Sequence, residues 1–277
     1  MNTELKRITT HDLSFWTDPA AAEAGIFTAF SERGGGVSTG PYDSLNLGLA
    51  VGDDPTSVTE NRERLCEAAG LGRRAVRQLP LVTQVHGTRV VVIDSSESAP
   101  SEVDSSGTEA DGLVTATPGQ PLLLCFADCV PVMLWATTPR PCIAVLHSGW
   151  KGCLHNIAGA GVDALTHQYG VAPSDLHALI GPYIGAESFV VSEDLWLQFA
   201  RAFPTIEGRQ IRGSDGRLCV RFDLAETVRA ALVQAGVQQG RMSSLGQSTV
   251  LCANRFFSYR ASGGVCGRMG ALACVAH

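Results

Sequence analysis

The chain has 277 residues, 45% of them hydrophobic, enough to bury one large core, and we expect a single domain over residues 1–277. Its charged fraction is 17% and its net charge is −6, with both signs interspersed, which excludes the clustered basic face of a nucleic-acid binder. The N-terminal residues lack the apolar segment of a secretory signal, no apolar run reaches membrane-spanning length, and nine cysteines in no regular framework favour reduced thiols, which together predict a cytoplasmic protein.

The N-terminal part of the chain predicts a loop followed by a helix. Residues Phe27–Gly52 are rich in glycine and other turn formers and predict a loop with short extended segments, of the kind that often borders a functional site. Asp54 and Pro55 form a typical helix start, and Gly70 a typical stop.

The next segment predicts strands around a turn. Leu79–Asp94 alternates apolar and polar residues around β-branched positions, with a turn at His86 and Gly87. Glu97–Thr108 is polar and serine-rich, and predicts a surface loop.

Three short apolar runs then predict the core strands. They are LLLCFA, VPVMLWA and CIAVLH, each separated from the next by residues that break regular structure. Helices follow at Leu154–Tyr169, Glu193–Phe203 and Leu224–Ala235, and a strand at Leu176–Ile180. Because strands and helices are mixed without a regular βαβ order, we predict an α+β layered domain with a mixed sheet.

Two histidines and one cysteine occupy informative positions. His86 and His147 each lie where an apolar strand meets a glycine-containing turn, so their side chains can leave the core and face a cleft. Cys129 lies between two predicted strands, where we expect Pro131 to interrupt the ladder. A single histidine at a strand end more often makes a structural hydrogen bond, and a single cysteine is more often a small core residue. Together, however, two imidazoles and one thiolate suit zinc and leave one coordination position open, as in catalytic sites.

Two further residues border these candidate ligands. Asp128 precedes Cys129 and could support a ligand or act as a general base, but it could equally cap a turn. Lys151 follows the His147 turn at a predicted helix start, where a cation and free backbone amides attract an anion such as phosphate; an ordinary solvated lysine is the alternative.

Several motifs occur in order between Phe27 and Ala273: SLNLGLAVGDD, QVHG, ADGLVT, ADCVPVML, HSGWKG, IGPYIG and FFSYR. Together they resemble the bacterial laccase-domain family, whose members are also called multicopper polyphenol oxidase-like proteins, purine nucleoside phosphorylases or peptidoglycan editing factors. The resemblance implies that His86, Cys129 and His147 are zinc ligands. It also implies an α/β/β/α sandwich with mixed sheets, related to toxin-type cysteine hydrolases.

The activity that the resemblance implies is phosphorolysis of adenosine, inosine, guanosine and methylthioadenosine, together with adenosine deamination. The partners would be a nucleoside and phosphate, with no nucleic acid or membrane, and the protein would be a monomer or weak homo-oligomer. Asn46 and Arg260 match pocket positions of the family. The chain departs from the family pattern at Ala261, which replaces a second arginine, and at Lys151, which stands where arginine is usual. Lys151 keeps the positive charge but lacks the guanidinium fork that makes bidentate phosphate contact.

The copper chemistry in the family's older name does not fit the composition. A multicopper oxidase site uses about ten histidines, many in His-X-His pairs, whereas this chain has seven histidines and no such pair. We therefore expect one metal, zinc rather than copper. Two other functions use the same residues: hydrolysis of L-serine misincorporated into a cell-wall precursor, with Cys129 as nucleophile or ligand and His147 as base, and a non-catalytic zinc-stabilised nucleotide-binding module.

Overall fold

A computed structural model describes residues 4–94, 107–213 and 215–276 of the chain. The strands, in chain order, are β1 (Lys6–Thr10), β2 (Leu13–Thr17), β3 (Ile26–Ser31), β4 (Val82–Thr83), β5 (Val90–Val92), β6 (Thr108–Glu109), β7 (Gly112–Thr115), β8 (Pro121–Phe126), β9 (Val130–Ala136), β10 (Cys142–Ser148), β11 (His177–Ile180), β12 (Val190–Ser192), β13 (Gly208–Arg212), β14 (Leu218–Phe222), β15 (Met242–Ser244) and β16 (Met269–Val275). The α-helices are α1 (Pro19–Glu23), α2 (Pro55–Ala68), α3 (Trp150–Leu154), α4 (Ile157–Tyr169), α5 (Glu193–Ala202) and α6 (Leu224–Gln234).

Two large sheets pack face to face. The first is antiparallel and has the strand order β1-β2-β3-β16-β8. The second has the order β15-β11-β9-β10-β7-β5 and is mixed, because β15 runs parallel to β11 and β5 runs parallel to β7. Two small sheets, β12-β14-β13 and β4-β6, complete the pairing. The predicted mixed sheet is thus present.

The alternation of side chains along each strand produces the layers. In β9, Met133 and Trp135 lie in the apolar core between the two sheets, whereas Val132 and Leu134 lie in the core beneath the helices. Successive residues of a strand point to opposite faces of its sheet. A strand that is apolar at every position therefore contributes to two cores at once, which explains the continuous apolar runs of the sequence.

Helices cover both outer faces of the paired sheets. α4 and α6 pack on the second sheet, and α2 packs on the first. The chain therefore has the α/β/β/α order that the family resemblance implies. The predicted caps of α2 and α6 are present, because the side chains of Asp54 and Asp223 accept hydrogen bonds from backbone N–H groups in the first turn of each helix.

The structure corrects the predictions for the strands. Of the three apolar runs, β8 belongs to the first sheet and only β9 and β10 pair with each other. Pro131 does not interrupt the ladder but lies within β9, opposite His147. The Pro131 carbonyl accepts from the Gly181 N–H at 3.0 Å, so it faces the β11 side of β9, just beyond the last residue pair of the β11 ladder. The carbonyl and nitrogen of one residue in an antiparallel strand face the same side, so the N–H that proline lacks would not have bonded to β10.

The segments before and after the core strands also differ from the predictions. β4 and β5 bracket His86, but they pair with β6 and β7 and not with each other. Of the loop predicted over Glu97–Thr108, positions 97–106 lie outside the described residues, and Thr108 begins β6.

The helix predicted over Leu154–Tyr169 is present as α4, which begins later, at Ile157, because a separate helix, α3, ends at Leu154. Asn156 has a left-handed backbone (φ +67°), and its side chain accepts the Gly159 N–H at 3.0 Å. A left-handed residue ends one helix, and an asparagine oxygen caps the next, so the break has a local cause. Within the described ranges, no helix combines the length and apolar character needed to cross a membrane.

Candidate metal centre

The structure brings the three predicted ligands together. His86 lies in the turn after β4, Cys129 in the connection between β8 and β9, and His147 near the end of β10. One ligand atom from each side chain lies within 4.8 Å of the other two. Zinc bonds to nitrogen and sulfur are about 2.0–2.3 Å long, so a small inward movement lets the three atoms share one ion. We call this group the His-Cys-His cluster.

His147 enters the cluster from the core between the sheets. It alternates with Ile143 and Val145 on β10, and its ring centroid lies 5.3 Å from that of Phe126. Its Nδ1 lies 2.7 Å from Oδ1 of Asp111, which is fully buried. Because an ionised carboxylate can only accept, Nδ1 carries a proton, and in the neutral ring Nε2 has the lone pair that can bind a metal.

The same Asp111 carboxylate holds the turn that carries His86. It accepts the backbone N–H groups of Val85, His86 and Gly87 at 3.1, 3.0 and 2.7 Å. These bonds hold the turn in which His86 has a left-handed backbone (φ +62°), and the His86 ring centroid lies 4.8 Å from that of His147. One buried side chain thus positions both histidines of the cluster.

Sequence analysis missed Asp111, although the ADG motif contains a signal. An aspartate directly before a strand that is buried at every position must find several hydrogen-bond donors. A metal-ligating histidine commonly donates its second ring N–H to a carboxylate, so this partner could have been sought in that motif.

The charges in the cluster favour the thiolate form of Cys129. Burial raises the pKa of the Cys129 thiol, but His147 and His86 outweigh that effect and lower it overall. Burial lowers the pKa of His147, whereas Cys129 and Asp111 raise it overall. Burial also raises the pKa of Asp111, but the His147 and backbone hydrogen bonds lower it overall. The sulfur is therefore held toward the thiolate form, which is the form that binds metals.

Gly149 provides the space in which the cluster forms. A Cβ atom at this position would lie 2.4 Å from Cδ2 of His86 and 3.2 Å from Sγ of Cys129. Any larger residue would displace two of the three ligands. The glycine in the HSGW motif is therefore required by the approach of the ligands and not by an unusual backbone conformation.

Asp128 takes the alternative role of organising a turn. Its Oδ1 accepts the Thr249 hydroxyl at 2.5 Å, and its Oδ2 accepts the Arg260 backbone N–H at 2.7 Å. Its backbone is left-handed (φ +87°), and its carbonyl accepts the Ile184 N–H at 2.9 Å. Both carboxylate oxygens thus connect the residue before Cys129 to the segment that carries Arg260, and general-base action at Asp128 stays a prediction.

Asn46, predicted to contact substrate, has no free hydrogen-bonding group. The residue is fully buried, and its amide nitrogen donates to Asp53 at 2.8 Å and to the Gly48 carbonyl at 3.2 Å. Its Oδ1 accepts the backbone N–H groups of Gly48 and Arg268 at 3.0 and 2.8 Å. An asparagine amide offers two donors and two lone pairs, so this side chain shapes the loop that contains it.

The other two predicted substrate contacts are exposed. Lys151 lies two residues after Gly149, with its Nζ 5.6 Å from the ring centroid of Trp150. Arg260 donates from Nη1 to the Ser188 carbonyl at 2.8 Å, and its backbone is tied to Asp128. Each follows closely in the chain on a residue of the cluster or its neighbour Asp128, and substrate contact by Lys151 and Arg260 stays a prediction.

Comparison with known proteins supports this description. A profile described as multi-copper polyphenol oxidoreductase laccase matches residues 27–276. The chain is 38% identical over 248 residues to a purine nucleoside phosphorylase of Deinococcus radiodurans, an alignment that covers 88% of this chain and 87% of that protein. It is 33% identical to the purine nucleoside phosphorylase YlmD of Geobacillus stearothermophilus, over 89% of each chain.

Two solved structures share the fold. The crystal structure of YlmD from Geobacillus stearothermophilus aligns with a TM-score of 0.87 at 29% identity and covers 99% of this chain and 100% of that one. A Bacillus licheniformis hypothetical protein, YfiH, aligns with a TM-score of 0.84 at 27% identity over 98% of each chain. The predicted mixed α and β architecture is confirmed by this likeness.

Proposed function

The chain belongs to the multi-copper polyphenol oxidoreductase laccase family, and from this membership we propose that it is a zinc-dependent purine nucleoside phosphorylase. Relatives that bear the name purine nucleoside phosphorylase support an enzyme of nucleoside metabolism. The observation that carries the proposal of zinc is the His-Cys-His cluster. Its three ligand atoms converge, and one of its side chains, that of His86, is exposed. A three-ligand site with an open side is typical of catalytic zinc.

Each member of the cluster has a distinct task in this proposal. The Cys129 thiolate and the imidazoles of His86 and His147 would hold the zinc ion, which supplies Lewis acidity when bound. Asp111 keeps the proton on Nδ1 of His147, so that the ring presents Nε2 in a fixed orientation. Gly149 keeps His86 and Cys129 close together, because no side chain separates them.

The substrates of the proposed reaction are a purine nucleoside and inorganic phosphate. In phosphorolysis, a phosphate oxygen forms a bond to the ribose C1′ while the bond from C1′ to the purine nitrogen breaks. Phosphate is an anion, and the exposed cations Lys151 and Arg260 would attract it. We extend the proposal to adenosine, inosine, guanosine and methylthioadenosine, which share the C1′–purine bond, and to deamination of adenosine.

The experiment that tests this function follows the products of inosine. The protein is incubated with inosine with and without phosphate, as purified, after metal removal by a chelator, and after zinc is returned. We expect hypoxanthine and ribose 1-phosphate only when both phosphate and zinc are present. Absence of both products from the zinc-loaded protein with phosphate would refute phosphorolysis, and full activity after complete metal removal would refute the zinc requirement.

A further inference from the structure

Two arginines lie on either side of the loop residues 46–48, outside the His-Cys-His cluster. Arg62, from α2, donates from Nε to the Leu47 carbonyl at 2.9 Å. Arg268, directly before β16, donates its backbone N–H to Asn46, and a Cβ on Gly48 would lie 2.7 Å from its Cγ. The two side chains therefore approach the same tripeptide from two different elements.

Neither guanidinium has a neutralising partner among the residues that the structure describes. Both residues are half-buried, yet no carboxylate in the part of the chain that the structure describes lies within 4.0 Å of either one. By contrast, the partly buried Arg73 and Arg255 each have such a partner. Removing a charge from water without a counter-charge costs free energy, so an uncompensated pair indicates a place for an anion.

Both arginines also keep unused hydrogen-bond donors. Arg62 uses Nε on Leu47, and its Nη2 lies 4.0 Å from Sγ of Cys125, but its Nη1 has no acceptor among the described residues. Arg268 uses Nη1 on the carbonyls of Cys266 and Gly267, and its Nε and Nη2 have none there. A guanidinium has five N–H donors in a planar fork, and two such forks suit a tetrahedral oxyanion.

The charges of the two arginines act on a common point. Burial raises the pKa of the Cys125 thiol, while Arg62 and Arg268 each oppose that rise. Cys125 sits at the end of β8, which is an edge strand of the first sheet. An oxyanion near this sulfur would therefore meet positive charge from both sides.

Two short connections link this place to the His-Cys-His cluster. The Gln84 amide makes two hydrogen bonds of 2.9 Å with the backbone of Cys125, and Gln84 precedes His86 by two residues. On the other side, the Arg268 guanidinium lies 5.7 Å from the ring centroid of Tyr259. Tyr259 precedes Arg260, whose backbone binds the carboxylate of Asp128 next to Cys129. The arginines thus border the segments that carry two of the three ligands.

We propose that Arg62 and Arg268 form an oxyanion subsite that binds inorganic phosphate beside the His-Cys-His cluster. That this phosphate is the co-substrate of phosphorolysis rests on the function proposed above; the subsite itself does not. Lys151 and Arg260, both exposed, attract phosphate to the opening, whereas the half-buried forks of Arg62 and Arg268 hold it in one orientation.

Direct phosphate binding by the zinc-loaded protein tests the subsite. Calorimetric titration with inorganic phosphate compares the wild type with Arg62→Gln and Arg268→Gln, and Arg217→Gln, an exposed arginine of the β13–β14 hairpin, serves as the matched control. We expect each subsite variant to weaken phosphate binding about 10- to 100-fold, as expected for a lost hydrogen bond to a charged group, and the control to match the wild type. Arg62→Lys keeps the charge without the fork, and a smaller loss is expected there, which separates anion binding from a folding defect.

Kinetics separate a failed subsite from a failed function. If inosine is phosphorolysed, the KM for phosphate should rise in both variants while the KM for inosine stays within about twofold. Unchanged phosphate affinity in both variants, or no phosphate binding by the wild type, overturns the subsite even if phosphorolysis occurs. Phosphate binding that depends on both arginines in a protein that forms no ribose 1-phosphate supports the subsite and refutes the proposed function.

Discussion

The hydrogen-bond network around Glu32 and the His-Cys-His cluster differ in how many of their polar atoms have hydrogen-bond partners within the chain. Glu32 accepts hydrogen bonds from Arg7 at 2.8 and 2.9 Å, from the Trp16 indole at 3.0 Å and from Arg255. In the His-Cys-His cluster, three side chains instead turn their electron-pair donors toward one another. The Glu32 network is complete within the chain, whereas the cluster needs a cation to complete it.

This difference separates structural from functional polar groups better than burial does. The Glu32 network joins β1, β2 and the segment at Arg255, and so it holds distant parts of the chain together. In the cluster, Cys129 and His147 each shift the pKa of the other toward its charged form, and the three ligand atoms converge as a metal site requires. We therefore expect changes to the network to reduce stability, and changes to the cluster to reduce metal binding and activity.

The largest expected effect is the loss of activity on removing the sulfur. Cys129→Ala leaves two imidazoles, and we expect loss of bound zinc and a fall in the inosine phosphorolysis rate by about 10³-fold or more, since a metal contributes several kcal/mol to a transition state. Metal analysis and initial rates measure this. The control is Cys219→Ala, which removes another partly exposed thiol from β14, outside the cluster. Equal zinc content and rate in Cys129→Ala and the wild type would contradict the metal centre.

The second prediction concerns the completed network and its pH dependence. Burial opposes ionisation of Glu32, but Arg7, Arg255 and Trp16 lower its pKa from 4.5 to about 2. A carboxyl whose pKa is lowered in the folded state adds stability that is fully present above the unfolded pKa and is lost as the pH falls through the folded pKa. The wild type should therefore lose this contribution between pH 4.5 and about 2.

Glu32→Gln should remove that contribution while leaving zinc in place. We expect the free energy of unfolding at pH 7 to fall by about 2–3 kcal/mol, a value discounted because Arg7 is partly exposed, and the acid dependence between these pH values to flatten. Urea unfolding at several pH values measures both. Glu226→Gln breaks an exposed pair with Arg229 and should cost less than about 0.5 kcal/mol. If the Glu32→Gln protein were as stable as the Glu226→Gln control, the Glu32 network would contribute no more to stability than an exposed ion pair.

The third prediction concerns Asp111, which has features of both groups. Its carboxylate has all its hydrogen bonds within the chain, and it positions two ligands of the His-Cys-His cluster. Asp111→Asn keeps the size of the side chain but cannot accept from both His147 and the 85–87 turn with the same geometry. We expect zinc affinity to fall about 10- to 100-fold, as for other groups that orient metal ligands. Competition with a chelator measures this affinity. Wild-type affinity in a folded Asp111→Asn protein would mean that the histidines are positioned by packing alone.

The sequence predicts best where the cause is local. Asp54 and Asp223 start helices because each cap acts within its own first turn, and α2 and α6 are found within one or two residues of their predicted ends. The division of the apolar runs between two sheets depends on pairing with β16 at the far end of the chain, which no local pattern contains. The prediction that Pro131 interrupts the ladder is wrong, because the effect of a proline on a sheet depends on which neighbouring strand its nitrogen faces, and the sequence around Pro131 does not show this.

The same distinction applies to the candidate site. His86, Cys129 and His147 could be proposed because their residue types and strand-end positions are visible one at a time, and the resemblance to a family joins them. Asp111 could not be ranked above other aspartates, because its role lies in four contacts with residues that are distant in sequence. For Asn46, a residue of a family motif, the structure shows that each amide group is occupied by Gly48, Asp53 or Arg268, and substrate contact stays a prediction.

The smallest expected effect tests the comparison on a single hydroxyl. Ser148 is fully buried next to His147, and its Oγ has no hydrogen-bond partner among the described residues. It alternates with His147 along β10 and so points to the opposite face of the sheet from the cluster. Because a buried hydroxyl without a partner loses hydration and gains nothing, Ser148→Ala should raise the free energy of unfolding by about 0.5–1 kcal/mol with zinc content unchanged.

The control is Thr227→Val, which removes a buried hydroxyl that donates to the Leu224 carbonyl at 2.6 Å. This change should instead lower the free energy of unfolding by about 1 kcal/mol. If urea unfolding gave the same sign for both variants, an unsatisfied buried hydroxyl would be no more costly to stability than a satisfied one, and this prediction would be refuted.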